Sequence, residues 1–135
     1  LSLKGIRFLH THPGHVPHVR GADGILWSTL VRGHPGASCF FFDETIDTGP
    51  VIAAQDFPAI KFHLTDGMTR PDDQTLYRMV FSYYDPILRA EMLVKTLERS
   101  GDVSQLSAQD QDFSSGVTYH FMHSTVRREA PSSLF

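Results

Sequence analysis

The sequence predicts an α/β fold in which a mostly parallel sheet is flanked by helices. Short apolar runs alternate with segments of helical periodicity along the 135 residues, and 41% of the residues are hydrophobic while 20% are charged. That balance is typical of a folded globular domain rather than a disordered chain. A strand, a loop, a helix and a second strand follow one another from the start, an order that favours parallel pairing. No repeat or long linker divides the chain, so we expect a single domain over 1–135.

The first sixty residues predict a short helix between strands, and we take 5–60 as the core of this domain. Glycine, proline and aspartate mark the boundaries of its elements, because they favour turns and helix ends. The elements are, in order, a strand over 5–9, a loop over 11–24, a helix capped by Asp23 and ended by Gly33, a buried strand over 37–42, a polar turn over 43–49, and an extended stretch over 50–60 with Pro58 at a sheet edge.

A long helical region is predicted over 72–100, after a polar connector over 61–71. Asp72 or Asp73 can cap it, Gly101 can end it, and the Asp85-Pro86 pair predicts a kink. Apolar residues at three- and four-residue spacing predict its buried face. These residues are Leu76, Met79, Val80, Tyr83 and Ile87. For the remaining residues, 101–135, the sequence predicts an irregular tail, with one strand over 117–122 and a loose end from Arg127.

Composition excludes several classes of function. The net charge is −3 and Lys and Arg form no run, so the basic surface typical of nucleic-acid binding is missing. The apolar stretches fall far short of the roughly 20 residues that cross a bilayer. Cys39 is the single cysteine, which excludes an internal disulfide and predicts a buried, inert thiol. The first four residues lack the layout of a signal peptide, so we expect a cytoplasmic protein. The chain begins with Leu1 rather than Met, as a fragment or a processed chain would.

Four of the eight histidines lie between positions 10 and 18. A solvated loop is one interpretation of this cluster. A zinc-dependent hydrolase is another, because His10, His12 and His15 have the spacing that begins the metallo-β-lactamase motif. Gly14, however, stands where that motif has an aspartate, and the glycine pair that follows is replaced. We therefore predict no metal and keep zinc as the weaker alternative.

A longer pattern takes in the same histidines. Its elements are His12-Pro13-Gly14, Pro17, Arg20-Gly21, Trp27, Gly33, Gly36 and Ile46-Asp47-Thr48-Gly49. In this order they resemble the formyltransferase family, whose members formylate methionyl-tRNA, glycinamide ribonucleotide or sugar amines with 10-formyltetrahydrofolate. The match covers 5–52 and, more loosely, the chain to residue 97. The resemblance implies a shortened, Rossmann-like formyltransferase domain that acts on a small-molecule amine.

The resemblance also implies roles for single residues. His12 moves the proton that the attacking amine loses, and Asp47 orients and stabilises its imidazole, as expected for a histidine of near-neutral pKa beside a carboxylate. His10 stands where the family has asparagine, and its N–H can serve the developing oxyanion. The remaining family positions are Ile46, Thr48 and Gly49 for the cofactor, and Arg20 and Gly14 for the substrate. From the residues alone, Asp47 could also cap its turn, Arg20 could tie down its loop, and Trp27 favours a core position.

The chain departs from the family at its start, because only nine residues precede His10. The resemblance therefore leads us to expect a sheet that lacks several strand–helix units of the family fold, and a sheet shortened in this way would expose an apolar edge. We expect a second copy to cover that edge, which predicts a homodimer. The His10 replacement and the missing units also favour a second interpretation, a non-catalytic domain that keeps the fold for binding or assembly.

Overall fold

The computed structural model describes residues 5–60, 65–67 and 69–132, and the side chains of all of these except 131 and 132. The first four residues and five of the eleven residues of the predicted connector over 61–71 therefore lie outside the described residues. The strands and helices are, in chain order, β1 (Leu9–His12), β2 (Val19–Gly21), α1 (Gly24–Arg32), β3 (Gly36–Phe41), β4 (Val51–Asp56), α2 (Asp73–Met79), α3 (Asp85–Ser100), β5 (Val117–Tyr119), α4 (Ser124–Arg127) and α5 (Glu129–Ser132).

The α/β class is confirmed, but the mostly parallel sheet is not. One sheet has the order β1-β3-β4 and both of its pairings are antiparallel, while a separate pair, β2 and β5, is parallel. The segment between β1 and β3 contains α1 and returns to the end of the sheet at which β1 ends. His12 is therefore paired with Ser38, and β3 runs back beside β1 until Phe41 faces Leu9.

The first strand lies later than predicted, at Leu9–His12 instead of 5–9. Gly5 has a φ of 84° and belongs to a turn, a conformation that suits glycine and ends an extended run. Pairing with the fully buried strand β3 fixes the observed position. His10 and His12 consequently lie within a strand and not in the loop that follows it.

Helix α1 and strand β3 agree with the prediction. Gly33 ends α1 at a φ of 81°, where its N–H donates to the Thr29 carbonyl. Asp23 occupies the N-cap position, but its side chain does not cap the helix. Its carboxylate instead accepts hydrogen bonds from the Tyr77 hydroxyl and the Met122 N–H, so it joins α1 to α2 and to the tail.

The long helical region begins and ends as predicted. Asp72 caps α2 by accepting the Thr75 N–H at 2.7 Å, and Gly101 follows α3 with a φ of 64°. The predicted interruption at Asp85-Pro86 is a π-helical turn, Val80–Tyr84, placed directly before the proline. Proline at the start of α3 is tolerated because the first N–H groups of a helix have no partner within it.

The π-turn changes which residues face the core. Leu76 and Val80 are buried as predicted, but Met79, Tyr83 and Ile87 are exposed. The buried residues follow a strict four-residue spacing, and they are Leu76, Val80, Tyr84, Leu88 and Met92. A π-turn contains more residues than an α-helical turn. Each buried position after Val80 therefore lies one residue later in the sequence than predicted.

The core lies between the antiparallel sheet and the helices. Cys39 and Met92 are fully buried at the contact of β3 with α3, and burial raises the pKa of the Cys39 thiol, as expected for an inert cysteine. Strand β4 is a sheet edge and ends two residues before Pro58. None of the helices in the described ranges combines the length and apolar character that crossing a membrane requires.

The tail is more ordered than predicted. Short 3-10 turns at Val103–Gln105 and Phe113–Ser115 agree with the irregular stretch, and β5 covers part of the predicted strand over 117–122. The predicted loose end from Arg127 is wrong over the described residues to 132, because α4 and α5 pack against the domain and Ala130 is fully buried. Arg127 lies 4.0 Å from the centre of the Tyr77 ring and helps to hold this end in place.

Trp27 is packed as the sequence favours. Its ring stacks on Tyr119 with centroids 4.6 Å apart, and its Nε1–H donates to the His120 carbonyl at 2.9 Å. The indole therefore joins α1 to the end of β5.

Candidate functional site

The two histidines of β1 share one face of the strand, because alternate residues point the same way. The His12 side chain is only 3% exposed. Its Nε2 lies 3.2 Å from the Val19 carbonyl, which can only accept, so Nε2 carries a proton. Its other nitrogen, Nδ1, faces the Asp47 carboxylate at 3.4 Å from Oδ2. The structure thus brings together the two residues that the sequence pattern singles out.

Asp47 is held in place from three sides. Its φ of 55° is uncommon for a residue other than glycine and persists only where neighbouring contacts fix it. The Gly21 N–H donates to its Oδ2 at 2.7 Å. The Gln111 amide donates to the carbonyls of Asp47 and Gly49, both at 2.8 Å. Gln111 and Gly21 were not identified as site residues from the sequence; Gly21 belongs to the family pattern but received no role there, and Gln111 lies outside that pattern.

Glycine at position 49 allows the acidic turn to reach His12. Antiparallel pairing puts the ends of β1 and β3 at opposite edges of the sheet, so the turn after β3 has to fold back across it. A Cβ on Gly49 would lie 1.6 Å from the Phe41 carbonyl oxygen, which no side chain could occupy. The close approach of these backbones brings the turn back under the sheet.

Glycine at position 14 makes room for the His12 ring. A Cβ there would lie 2.6 Å from both His12 Nε2 and the Val19 carbonyl oxygen. Gly14 therefore protects the hydrogen bond that fixes the imidazole. This contact places Gly14 beside the histidine, and its predicted contact with substrate stays a prediction.

The other predicted cofactor residues differ in exposure. Ile46 is 68% exposed on the surface of the acidic turn. The Thr48 hydroxyl donates to the Asp43 carboxylate at 2.7 Å and also contacts the Thr45 hydroxyl, so it stabilises the turn itself. Their roles toward a cofactor stay predictions.

Arg20 is buried and bonded within the protein. Its guanidinium donates to the Thr118 hydroxyl at 3.2 Å and to the carbonyls of Pro17 and Gly116 at 3.1 and 3.2 Å. These bonds tie the histidine-rich loop to β5, which is one of the two roles that the sequence left open. The other, binding an anionic part of the substrate, stays a prediction.

The site also receives a positive charge from helix α3. Burial lowers the pKa of both His10 and His12; the Asp47 carboxylate opposes this effect and the Arg89 guanidinium adds to it. Arg89 is paired with the buried Asp85 one helical turn earlier. Burial raises the pKa of Asp85, and Arg89 acts against that rise. The sequence presents Asp85 only as part of a helix interruption, so its place near the site was missed.

The histidines of the zinc alternative do not form one cluster. His15 lies apart from His10 and His12, with its Nδ1 2.6 Å from the Asp56 carboxylate, which Arg32 also contacts at 2.8 Å. Burial lowers the pKa of His15, while Asp56 opposes that shift. The group that does converge is His10, His12 and Asp47, with one ligand atom of each within 4.8 Å of the others.

Several known proteins resemble parts of this chain in sequence or in fold. No family model matches the chain. Over 60 residues the chain is 38% identical to the methionyl-tRNA formyltransferase of Deinococcus radiodurans, a stretch that covers 43% of this chain and 19% of that protein. The chain therefore spans under a fifth of this curated relative's length.

Two solved structures resemble most of the chain. HypX from Aquifex aeolicus, in complex with tetrahydrofolic acid, matches with a TM-score of 0.56 and 20% identity, over 89% of this chain and 18% of that one. The formyltransferase PseJ from Anoxybacillus kamchatkensis, in complex with UDP-4,6-dideoxy-4-formamido-L-AltNAc and tetrahydrofolate, matches with a TM-score of 0.50 and 19% identity, over 84% of this chain and 52% of that one. The fold is thus of the formyltransferase class. Together with the sequence match, this confirms the predicted resemblance to the formyltransferase family over part of a formyltransferase domain.

Proposed function

We propose that this chain carries the catalytic pair of a formyltransferase-type domain and transfers a formyl group from 10-formyltetrahydrofolate to a small-molecule amine. The observation that carries the proposal is the pairing of buried His12 with Asp47 across 3.4 Å. The relatives support it, since formyltransferases and a protein with bound tetrahydrofolic acid share the fold. We further propose a cytoplasmic location for the protein.

His12 fits the role of a proton acceptor. Burial lowers its pKa, which favours the neutral imidazole, the form that can accept a proton. Its Nε2–H is used by the Val19 carbonyl, so Nδ1 is the atom that takes the proton from the attacking amine. The Asp47 carboxylate then stabilises the imidazolium that forms.

The surroundings of the pair fit a formyl donor. When bound, 10-formyltetrahydrofolate would supply an electrophilic formyl carbon, which exchanges its bond to the folate nitrogen for a bond to the amine nitrogen, while the leaving folate nitrogen takes up a proton. Ile46, exposed beside Asp47, offers an apolar side chain to a flat ring, and Thr48 and Gly49 shape the turn beneath it. His10 can donate an N–H to the oxygen that gains charge, and the Arg89 charge nearby favours that oxyanion.

Two substitutions test the roles of the pair. His12→Ala and Asp47→Ala should each lower formyl transfer by at least about 100-fold, the lower limit usual for a general base. Transfer is measured with 10-formyltetrahydrofolate and a panel of amines, binding of a folate analogue by calorimetry, and folding by circular dichroism. His120→Ala, which removes an exposed histidine outside the site, should behave as the original chain. Full activity of either site variant would refute the assignment.

One observation favours a non-catalytic domain as the second candidate. His12 is almost wholly buried, and both of its nitrogens lie beside acceptors of the protein itself. Such a histidine can be a structural element of the turn. A well-folded chain that binds no folate analogue would support this alternative.

A further inference from the structure

His10, His12 and Asp47 have the chemistry and spacing of a transition-metal site. Two imidazoles and a carboxylate are a common ligand set for zinc and similar ions. One ligand atom of each residue lies within 4.8 Å of the other two. The set differs from the His10/His12/His15 spacing in the sequence, because the third ligand is Asp47 from the acidic turn.

The distance between His12 and Asp47 fits a shared ion. At 3.4 Å, Nδ1 and Oδ2 are farther apart than in most hydrogen bonds. Ligand bonds of about 2.0–2.2 Å in a tetrahedron give a separation of about 3.3–3.6 Å between ligand atoms. The pair therefore already has the spacing of two ligands, and His10, with a ligand atom within 4.8 Å of both, supplies the third.

The His12 and Asp47 side chains are oriented by hydrogen bonds to backbone groups outside the cluster. The Nε2–H of His12 donates to the Val19 carbonyl, which leaves the lone pair on Nδ1 facing Asp47. The Gly21 N–H donates to the Asp47 carboxylate. Hydrogen bonds of this kind hold metal ligands in orientation.

Burial leaves the cluster accessible from the side of His10. His12 is 3% exposed and Asp47 8%, whereas His10 is half-buried against the Phe40 and Phe42 rings. Three protein ligands with one open side are the arrangement of zinc sites that retain a water molecule.

The other histidine cluster is a poorer site. The Asp56 carboxylate contacts His15, Arg32 and His34, so a fixed guanidinium cation already neutralises it. That pairing disfavours a second cation.

We propose that His10, His12 and Asp47 bind one divalent transition-metal ion of the zinc class, with His12 Nδ1 as a ligand. The ion uses the same three residues as the proposed formyl transfer and competes with it, because the ion occupies the lone pair that would accept the amine proton. His10 is the residue that makes the cluster a site, since asparagine at this position would leave only two strong ligands.

The metal is tested on the full chain without folate or amine. Zn²⁺ is titrated by calorimetry after treatment with a chelator, and Co²⁺ binding is followed by its visible absorption. We expect one ion per chain, and His10→Asn and Asp47→Asn should each weaken binding by at least about tenfold, since even outer-shell changes cost that much. His120→Asn and His15→Asn should bind as the original chain does, and circular dichroism checks that each variant is folded. Should His10→Asn fail to fold, His10→Gln takes its place.

Three outcomes would overturn this inference: no binding by the folded chain, undiminished binding by the folded position-10 variant, or loss of binding in His15→Asn. The proposed function is judged separately, by formyl transfer in the presence of chelator. Metal binding without formyl transfer would support the metal site and refute the proposed formyltransferase activity. Formyl transfer without metal binding would support the activity and refute the metal site.

Discussion

Gln111 should prove critical for the acidic turn although it lies far from it in sequence. It is 8% exposed, and its Nε2 donates to the buried carbonyls of Asp47 and Gly49, both at 2.8 Å. Gln111→Ala removes both bonds and leaves two buried acceptors without a donor. The turn then loses the contact that balances the unfavourable φ of Asp47.

The magnitude follows from the atoms that are lost. Two unsatisfied buried carbonyls cost about 2–6 kcal/mol. Gln111 Oε1 is itself buried without a hydrogen-bond donor among the described residues, so deleting it returns about 1–3 kcal/mol. The net loss in the free energy of unfolding is about 2 kcal/mol, which lowers the Tm of a domain of this size by about 8 °C.

Thermal and urea unfolding measure this change, and two further variants show its cause. Gln109→Ala removes an exposed glutamine two residues away and should change stability by under about 0.5 kcal/mol. Gln111→Glu keeps the shape but turns an oxygen toward both carbonyls, so it should destabilise more than alanine does. A Gln111→Glu protein as stable as the original would refute the reasoning, because packing alone would then explain the contact.

Two more predictions concern acid stability and assembly. Burial lowers the pKa of His10, His12 and His15, so below about pH 6.5 the unfolded chain binds more protons than the folded one. The free energy of unfolding should therefore fall as the pH drops below about 6.5, by at most about 1.4 kcal/mol per pH unit for each histidine. A calorimetric Tm that stays constant or rises on acidification would contradict this. We also propose that a second copy of the chain covers the edge strand β1, beside which Phe8 and Phe42 are exposed. Light scattering should show a dimer, and Phe8→Asp should dissociate it. A monomer of the original chain at micromolar concentration would exclude the dimer.

Local signals predicted the local elements well. Gly33 after an apolar helix, and the apolar run that forms β3, each identify an element through the conformational preference of a few neighbouring residues. The first strand was misplaced because its identity depends on pairing with β3, and tertiary pairing leaves a weak local pattern. The buried stripe of the long helix was wrong beyond Val80, since the sequence marks the interruption at Pro86 but not the extra residue of the π-turn.

The contacts that hold the site were harder to predict than its two main side chains. Val19 and Gly21 act through a backbone carbonyl and a backbone N–H, which every non-proline residue has, so no residue type reveals them. Gln111 acts from 64 positions away within a polar stretch. His12 and Asp47 stand out because their side chains have distinctive chemistry, whereas their supports do not.

His12 and Asp47 meet in this fold without the mostly parallel sheet that the sequence predicts. Parallel strands would place the two following loops at one edge of the sheet, but β1 and β3 are antiparallel and end at opposite edges. Two local features compensate: His12 lies inside the strand instead of beyond it, and the turn folds back because Gly49 lets it pass against the Phe41 carbonyl. The shape of the site therefore depends on the turn as much as on the sheet, and residues that fix the turn should affect the pair more strongly than residues that fix the strand order.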